Sequence, residues 1–556
     1  MISRAFPTAL AAGLVAMPVL GGLLGTILPA FGFLPALGGA HLSLDPWRVM
    51  LAQPGLGASV WLSVSTGLAA TLISLALVAL FTAAFHATSI FRMVQAAIAP
   101  LLATPHIAIA IGLLAIAAPS GLVARAIAPL AGWSTPPDVA TVNDAAGISL
   151  VVGLVLKEAP YMLLMALAAL NQIPATGLMA VARSLGQPAP VAFLKIVFPL
   201  VYRQIRLPVL AVLAYAMSVV DVAILLGPER RPPLAVLVVR WFFDPDLSKV
   251  FPAAAAACLV LLCTAAALLG WRIAERAIGP MLRRWAASGG RSGAKAIRLS
   301  GFAMPVLLAL AGLSLTAAAM WSAAGPWRFP DLLPFRFDLS SWAAQQASLS
   351  APFRTTLVTA LAATSLALIL SVAALEAVAR HGRAARRGLL AFTLLPLLVP
   401  QASFLFGLQV ALLSLGLDGG WIALIWAHLV FVLPYVLLSL TMPYLALDPC
   451  LAHTAACLGA SPFRTLMTVK LPILLRPLLA ATAVGIAVSA GQYLATLFAG
   501  GGRMATLATE AVTLASGGDR RVMGVFAVAQ TALPMAFFAI ALLLPRLVWR
   551  RRAALA

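Results

Sequence analysis

Apolar runs of about 20 residues recur almost without a gap from residue 7 to residue 545, and nothing else constrains this chain as strongly. A helix of about 20 apolar residues crosses the hydrocarbon core of a bilayer. Twelve such spans are predicted. In the first half they lie near 7–29, 58–84, 93–117, 147–171, 207–227 and 250–271. In the second half they lie near 299–320, 354–377, 388–415, 420–443, 478–499 and 521–545. The first sits where a signal peptide would, but its length and the spans that follow favour a retained helix. The chain is 62% hydrophobic and 10% charged, whereas soluble domains carry about 25% charged residues. That charge cannot cover a water-facing surface on 556 residues. The expected fold class is an all-α polytopic membrane protein of about 12 transmembrane helices.

The net charge of +21 would suggest nucleic acid in a soluble protein. Here the charge is confined to short loops and reads as membrane orientation, with no nucleic-acid partner. Arg92 follows span two; Arg183, Lys195, Arg203 and Arg206 follow span four. Arg272, Arg276, Arg283, Arg284, Arg291, Lys295 and Arg298 follow span six. Arg380, Arg383, Arg386 and Arg387 follow span eight, and Arg546 and Arg550 to Arg552 form the tail. All share one side if both termini are cytoplasmic. Arg230, Arg231 and Arg240 fall on the other side, with Glu229, Asp244 and Asp246 nearby. Cys258, Cys263, Cys450 and Cys457 show no metal-ligand spacing and read as small apolar fillers. No metal site is expected.

Residues 272–298 contain Ala-Ser-Gly-Gly-Arg-Ser-Gly and read as a flexible cytoplasmic linker between a first transmembrane domain, 1–271, and a second, 299–556. The two halves repeat in order. Leu68 to Thr71 matches Leu361 to Thr364, Pro105-His106 matches Pro400-Gln401, and Pro160-Tyr161 matches Pro434-Tyr435. Leu185-Gly186 matches Leu458-Gly459, and each glycine precedes a proline by 13 residues, Pro199 and Pro472. Two parallel six-helix repeats are therefore expected, related by an axis along the membrane normal. Gly21 with Gly25, and Gly67 with Thr71, supply small faces for close helix approach.

The loops 180–206 and 453–479 are the most specific feature. Each reads as a short helix, a glycine break, a second short helix and a terminating proline. Ser461 is a good N-cap with Pro462 at the first helical position. Phe463, Leu466, Met467 and Leu471 then form an apolar face, while Arg464 and Lys470 stay wet. The element between glycine and proline is at most roughly 20 Å long, too short to span a membrane. It suits a surface helix that another protein grips.

With these loops the sequence resembles the membrane subunits of binding-protein-dependent ABC importers. Their hallmark loop reads Glu-Ala-Ala, three residues, Gly, then an Ile-x-Leu-Pro element. Ala182, Gly186, Ile196 and Pro199 match in the first half; Ala455, Gly459, Leu471 and Pro472 match in the second, with Val469 in place of the isoleucine. The glutamate is replaced by Ala180 and His453. The resemblance covers about 55–230 and 350–520, and two fused copies look like the fused permeases of thiamine, ferric-iron and related importers. It implies coupling helices, including Pro462 and Phe463, held by two copies of a cytoplasmic ATP-binding subunit. It also implies an extracytoplasmic solute-binding protein. No G-x-x-x-x-G-K-[S/T] loop occurs, so ATP would be used by the partner and no cofactor is expected on this chain.

Ionisable residues inside a membrane are costly and often functional. Lys157 and Glu158 are adjacent in span four, and successive helical positions diverge, so a direct pair is not assured. Asp221 in span five corresponds by the family pattern to Gln492 in span eleven; with Glu158 these are the candidate pore-lining residues. His106, Gln401, Gln409 and His428 read as helix–helix hydrogen-bonding groups. A second reading is a twelve-span secondary transporter with an internal repeat. A membrane-embedded enzyme would need a cluster of carboxylates, histidines or a nucleophile, and none is visible.

Overall fold

The computed structural model describes residues 2–381, 388–389, 391–515 and 517–548. The basic groups at 383–387 and 550–552 that entered the orientation argument lie outside the described residues. The described chain is almost wholly helical. Among the described residues ten helices are long and apolar enough to cross a membrane, or eleven if the pair Pro462–Ile473 and Leu475–Ala490, bent by 79°, counts as one span. The ninth expected span, 388–415, is broken. Pro396 and Pro400 interrupt it, leaving the helix Leu405–Ser414, too short to cross alone.

Span three is also broken. Ser89–Ala103 ends before Pro105, and His106–Ala117 begins after it. Spans five and eleven break at corresponding places: Phe198–Ser218 is followed by the short helix Asp221–Leu226, and Leu475–Ala490 by Leu494–Gly500. Open backbone at membrane depth survives only where protein satisfies it or a cavity wets it. At the C-terminal end of the short helix Asp221–Leu226, Asn143 Nδ2 donates to the carbonyls of Leu225 and Gly227, at 3.2 and 2.7 Å, and the Ser149 hydroxyl donates to that of Leu226. Asp144 holds the first turn of span four in place. Burial opposes its charge, but the Ser149 hydroxyl and the N–H groups of Ser149 and Ile148 hold its carboxyl below the usual carboxylate range.

The two halves are interlocked at their first helices. Span one, Ile2–Ala30, lies against Leu405–Ser414 of the second half. There Gly22 faces the Phe404 carbonyl and Gly25 faces Gly407, each so closely that a Cβ would overlap the opposing backbone. Thr26 Oγ1 accepts from the Gly407 N–H at 3.2 Å. The expected pair was Gly21 with Gly25; Gly21 faces open space, and the contact runs through Gly22. Reciprocally, span seven, Ala303–Ser322, packs on His106–Ala117 of the first half, where Gly112 abuts the Ser314 carbonyl. Gly67 meets the expectation, lying against Met217, with the Thr71 hydroxyl donating to its carbonyl.

The segment 272–298 departs from the flexible linker expected. Span six runs unbroken as Val250–Ala287, and a further helix covers Ala294–Gly301. Arg, Ala, Leu and Glu are good helix formers, so the basic stretch prolongs the helix of span six. Only 288–293, the Ser/Gly run, leaves helical geometry. The cysteines also divide: Cys258 is buried, but Cys450 and Cys457 are exposed and fill nothing.

Candidate functional site

Lys157 and Glu158 point apart, as their positions on one helix require. The Lys157 ammonium reaches the end of Ser89–Ala103 and donates to the carbonyls of Leu101 and Leu102, each at 3.0 Å, and to that of Thr104. These carbonyls end a helix that Pro105 cannot continue, with Leu101's already accepting from Thr104, and the negative end of the helix dipole favours a cation there. Glu158 Oε1 lies 3.2 Å from His106 Nε2, the residue that starts the next helix. The His106 ring packs on Tyr215 at 5.1 Å between centroids.

Asp221 is buried at the start of its short helix, close enough to His106 for their charges to interact. Tyr435, from the second half, stands within electrostatic reach of Tyr161, Tyr215 and Glu158. Tyr493 stands within reach of Asp221. The candidates Glu158 and Asp221 thus share one neighbourhood, bordered by both halves. Gln492 is next to that neighbourhood through Tyr493, and its carbonyl accepts from Thr496 Oγ1 at 2.8 Å. The tyrosines and His106 were not assigned to a path from the sequence, although the Pro160-Tyr161 and Pro434-Tyr435 match carried the signal. His428 does what was expected of it, bridging to Ser489 at 2.8 Å and Thr496 at 3.0 Å.

The two loops share one backbone device. Gly186 and Gly459 take φ of +75° and +79°. The Gly186 N–H donates to Arg183 O at 2.9 Å and the Gln187 N–H to Ala182 O at 3.0 Å. The Gly459 N–H donates to Ala456 O at 2.9 Å and the Ala460 N–H to Ala455 O at 2.9 Å. This paired pattern is the Schellman turn, in which a left-handed residue closes a helix. Ala182 and Ala455, both buried, supply the outer carbonyls. In the second loop Ser461 Oγ accepts from the Arg464 N–H at 3.2 Å and caps a helix that begins at Pro462.

The prolines act differently from the expectation. Neither Pro199 nor Pro472 ends its element. Each follows a five-residue π-turn, Phe193–Val197 or Leu466–Lys470. A proline lacks an N–H and crowds the carbonyl of the preceding turn; widening that turn relieves the crowding. After Pro199 the helix Phe198–Ser218 runs on into the membrane. After Pro472 the chain goes only to Ile473 before the 79° bend at Leu474.

Loop surroundings differ as well. Lys195 is buried and donates to Ser288 O and Gly290 O, both at 2.8 Å, with the Trp285 ring 5.2 Å from its ammonium. Arg291 donates to Leu185 O at 3.0 Å. His86 stacks on Phe193 from the other side. In the second loop Lys470 donates to both oxygens of Glu376, at 2.9 and 2.7 Å, and Tyr444 donates to the same carboxylate. Ile196 and Leu185 are exposed in the first loop; Leu458, Phe463 and Met467 are exposed in the second, while Leu471 is half-buried.

A membrane bundle with a polar, aromatic interior bordered from both halves has the build of a transport subunit. Over 511 residues the chain is 31% identical to the inner membrane ABC transporter permease protein YnjC of Escherichia coli (strain K12), covering 91% of this chain and 92% of that protein. It belongs to the ABC transporter permease family. No family model matches the chain. Among the described residues no group of three or more His, Cys, Asp or Glu could hold a metal ion.

Proposed function

We propose that this chain is the transmembrane permease of an ATP-driven importer in the inner membrane. Two copies of a cytoplasmic ATP-binding subunit would grip loops 180–206 and 453–479. A small solute, delivered by an extracytoplasmic binding protein, would pass between the halves. The matched glycine turns carry this reading. Both present exposed apolar side chains beside a short helix, and a twelve-span secondary transporter has no use for two such surfaces. In this reading domains 1–271 and 299–556 each dock one ATPase, and both termini are cytoplasmic.

The test is reconstitution of Gly186→Val and Gly459→Val with the ATP-binding subunit and binding protein. A β-branched residue at φ near +75° is strained by about 1–2 kcal/mol, enough to misplace the turn by roughly tenfold in population. Solute-stimulated ATP hydrolysis should fall about tenfold in either variant, with the bundle still folded. Gly186→Val should be the worse, because its Cβ would also press on the Arg291 guanidinium, 3.1 Å away. Full transport and parental ATPase rates in both variants would sink the reading. Sidedness has its own probe in the exposed Cys450 and Cys457. A membrane-impermeant maleimide should label them in inside-out vesicles and not in intact cells; the reverse would overturn the topology.

A further inference from the structure

We propose that the interior cluster around Glu158 and Asp221 binds an organic cation, a quaternary or protonated amine, as the transported solute. This rests on the importer reading for the word transported; the ligand chemistry rests on the cluster itself. Glu158 has two cationic neighbours, His106 at 3.2 Å and the charge of Lys157, whose hydrogen bonds go to the carbonyls of Leu101, Leu102 and Thr104. Asp221 has His106 within reach, and that ring is already hydrogen-bonded to Glu158. Asp221 is therefore the carboxylate short of a partner.

Asp221 sharpens the point. It is nine-tenths buried, and the hydrogen bonds that reach it come from backbone N–H groups at its own helix start. A buried carboxylate with no side-chain hydrogen bond, whose electrostatic partner His106 is shared with Glu158, is costly inside a membrane and marks a place where a ligand supplies the charge. An anion would be repelled there, and a neutral solute would leave the carboxylate unpaired.

Aromatic rings complete the site. The chain has six tyrosines. Tyr202 and Tyr444 donate to Glu275 and Glu376 beside the loops. The other four, Tyr161, Tyr215, Tyr435 and Tyr493, all stand within electrostatic reach of Glu158 or Asp221. Ring faces attract cations, most strongly when desolvated, and aromatic cages with acidic neighbours suit quaternary ammonium groups. Two of the rings come from each half, so a cation held among them would feel any movement of one half against the other.

The experiment uses the purified full chain in lipid nanodiscs and calorimetric titration with choline and tetramethylammonium. Dimethylbutanol, the neutral carbon isostere of choline, succinate and ferric citrate serve as comparisons. Saturable binding of the two cations is expected, with none of the comparison solutes competing. Asp221→Asn and Tyr435→Leu should each weaken binding about tenfold or more. Tyr435→Phe, which keeps the ring, should bind like the parent, and Glu229→Gln, exposed and outside the cluster, should too. No saturable cation binding, equal binding of dimethylbutanol, binding of ferric citrate that Tyr435→Phe abolishes, or unchanged affinity in both Asp221→Asn and Tyr435→Leu would overturn the assignment. Capture of an ATP-hydrolysing subunit on the same nanodiscs is scored separately. Cation binding without that capture would refute the importer reading and leave the cation site standing.

Discussion

Around Gly186 the chain is held down, whereas around Gly459 it stands clear. Both glycines close a helix with the same pair of hydrogen bonds, and both are followed by a π-turn and a proline. Yet Pro190 to Phe193, Lys195 and Val197 are buried in the first loop, while Thr465 is the buried position among 462–470 in the second. A Cβ on Gly186 would meet Arg291, and one on Gly459 would meet nothing within 4 Å. The difference comes from segments outside the repeated pattern. Residues 285–291 exist once, between the halves, and fold over the first loop. Glu376 fixes the second loop, and its counterpart in the Leu68 to Thr71 alignment is Ala83. Local sequence sets the turn; unrepeated sequence decides how firmly each turn is attached. The first loop is braced by the protein's own chain, and the second depends on one carboxylate.

That contrast can be broken most sharply at Glu376. Glu376→Gln removes the charge that meets Lys470, Tyr444 and Arg380. Lys470 is 17% exposed, so an unpaired ammonium there should cost about 2–4 kcal/mol. A lowered unfolding midpoint in nanodiscs and faster tryptic cleavage at Lys470 and Arg464 are expected, with Lys195 still protected. Glu275→Gln should do less, because Arg206 and Arg272 are 40% and 45% exposed and can turn to water. Equal damage from both variants would remove the contrast.

A smaller effect is expected at the brace. Trp285→Ala removes the ring beside Lys195 and should weaken the attachment by about 1–2 kcal/mol. Hydrogen exchange should quicken at 189–197 and stay unchanged at 462–470. The smallest effect should come from Ser461→Ala, which deletes an N-cap and costs about 1 kcal/mol. Exchange should then quicken at Arg464 and Thr465 alone. Pro188, at the corresponding place in the first loop, has no side-chain cap to lose.

What the sequence displayed depended on whether the cause was local. The apolar runs located ten of the spans, or eleven with the bent pair, and the left-handed glycines and the Ser461 cap followed from their own residue types. Where a distant partner decided the outcome, the sequence was silent or misleading. The basic stretch after span six looked like a linker because its charges hid a good helix-forming composition. Pro199 looked like a stop because nothing in one sequence announces a π-turn. Nor could adjacency in the chain say that Lys157 would cap one helix while Glu158 met His106 on the next. Gly22, not Gly21, faces Gly407, since helix rotation is set by the partner.

The Lys157 contact also bears on how the chain enters the bilayer. Span four carries a lysine and a glutamate near the middle of Ile148–Leu170, and a charged residue at that depth costs about 2.5–3.5 kcal/mol during insertion. The hydrogen bonds of Lys157 all go to the segment before it, Leu101 to Thr104, and the group hydrogen-bonded to Glu158 is His106. Those carbonyls lie where Pro105 stops the helix, and Leu101's is shared with Thr104. Neither span is a good passenger alone. The expectation is that spans three and four leave the translocon as a pair, and that Lys157→Leu, far from easing insertion, strands the broken end of span three.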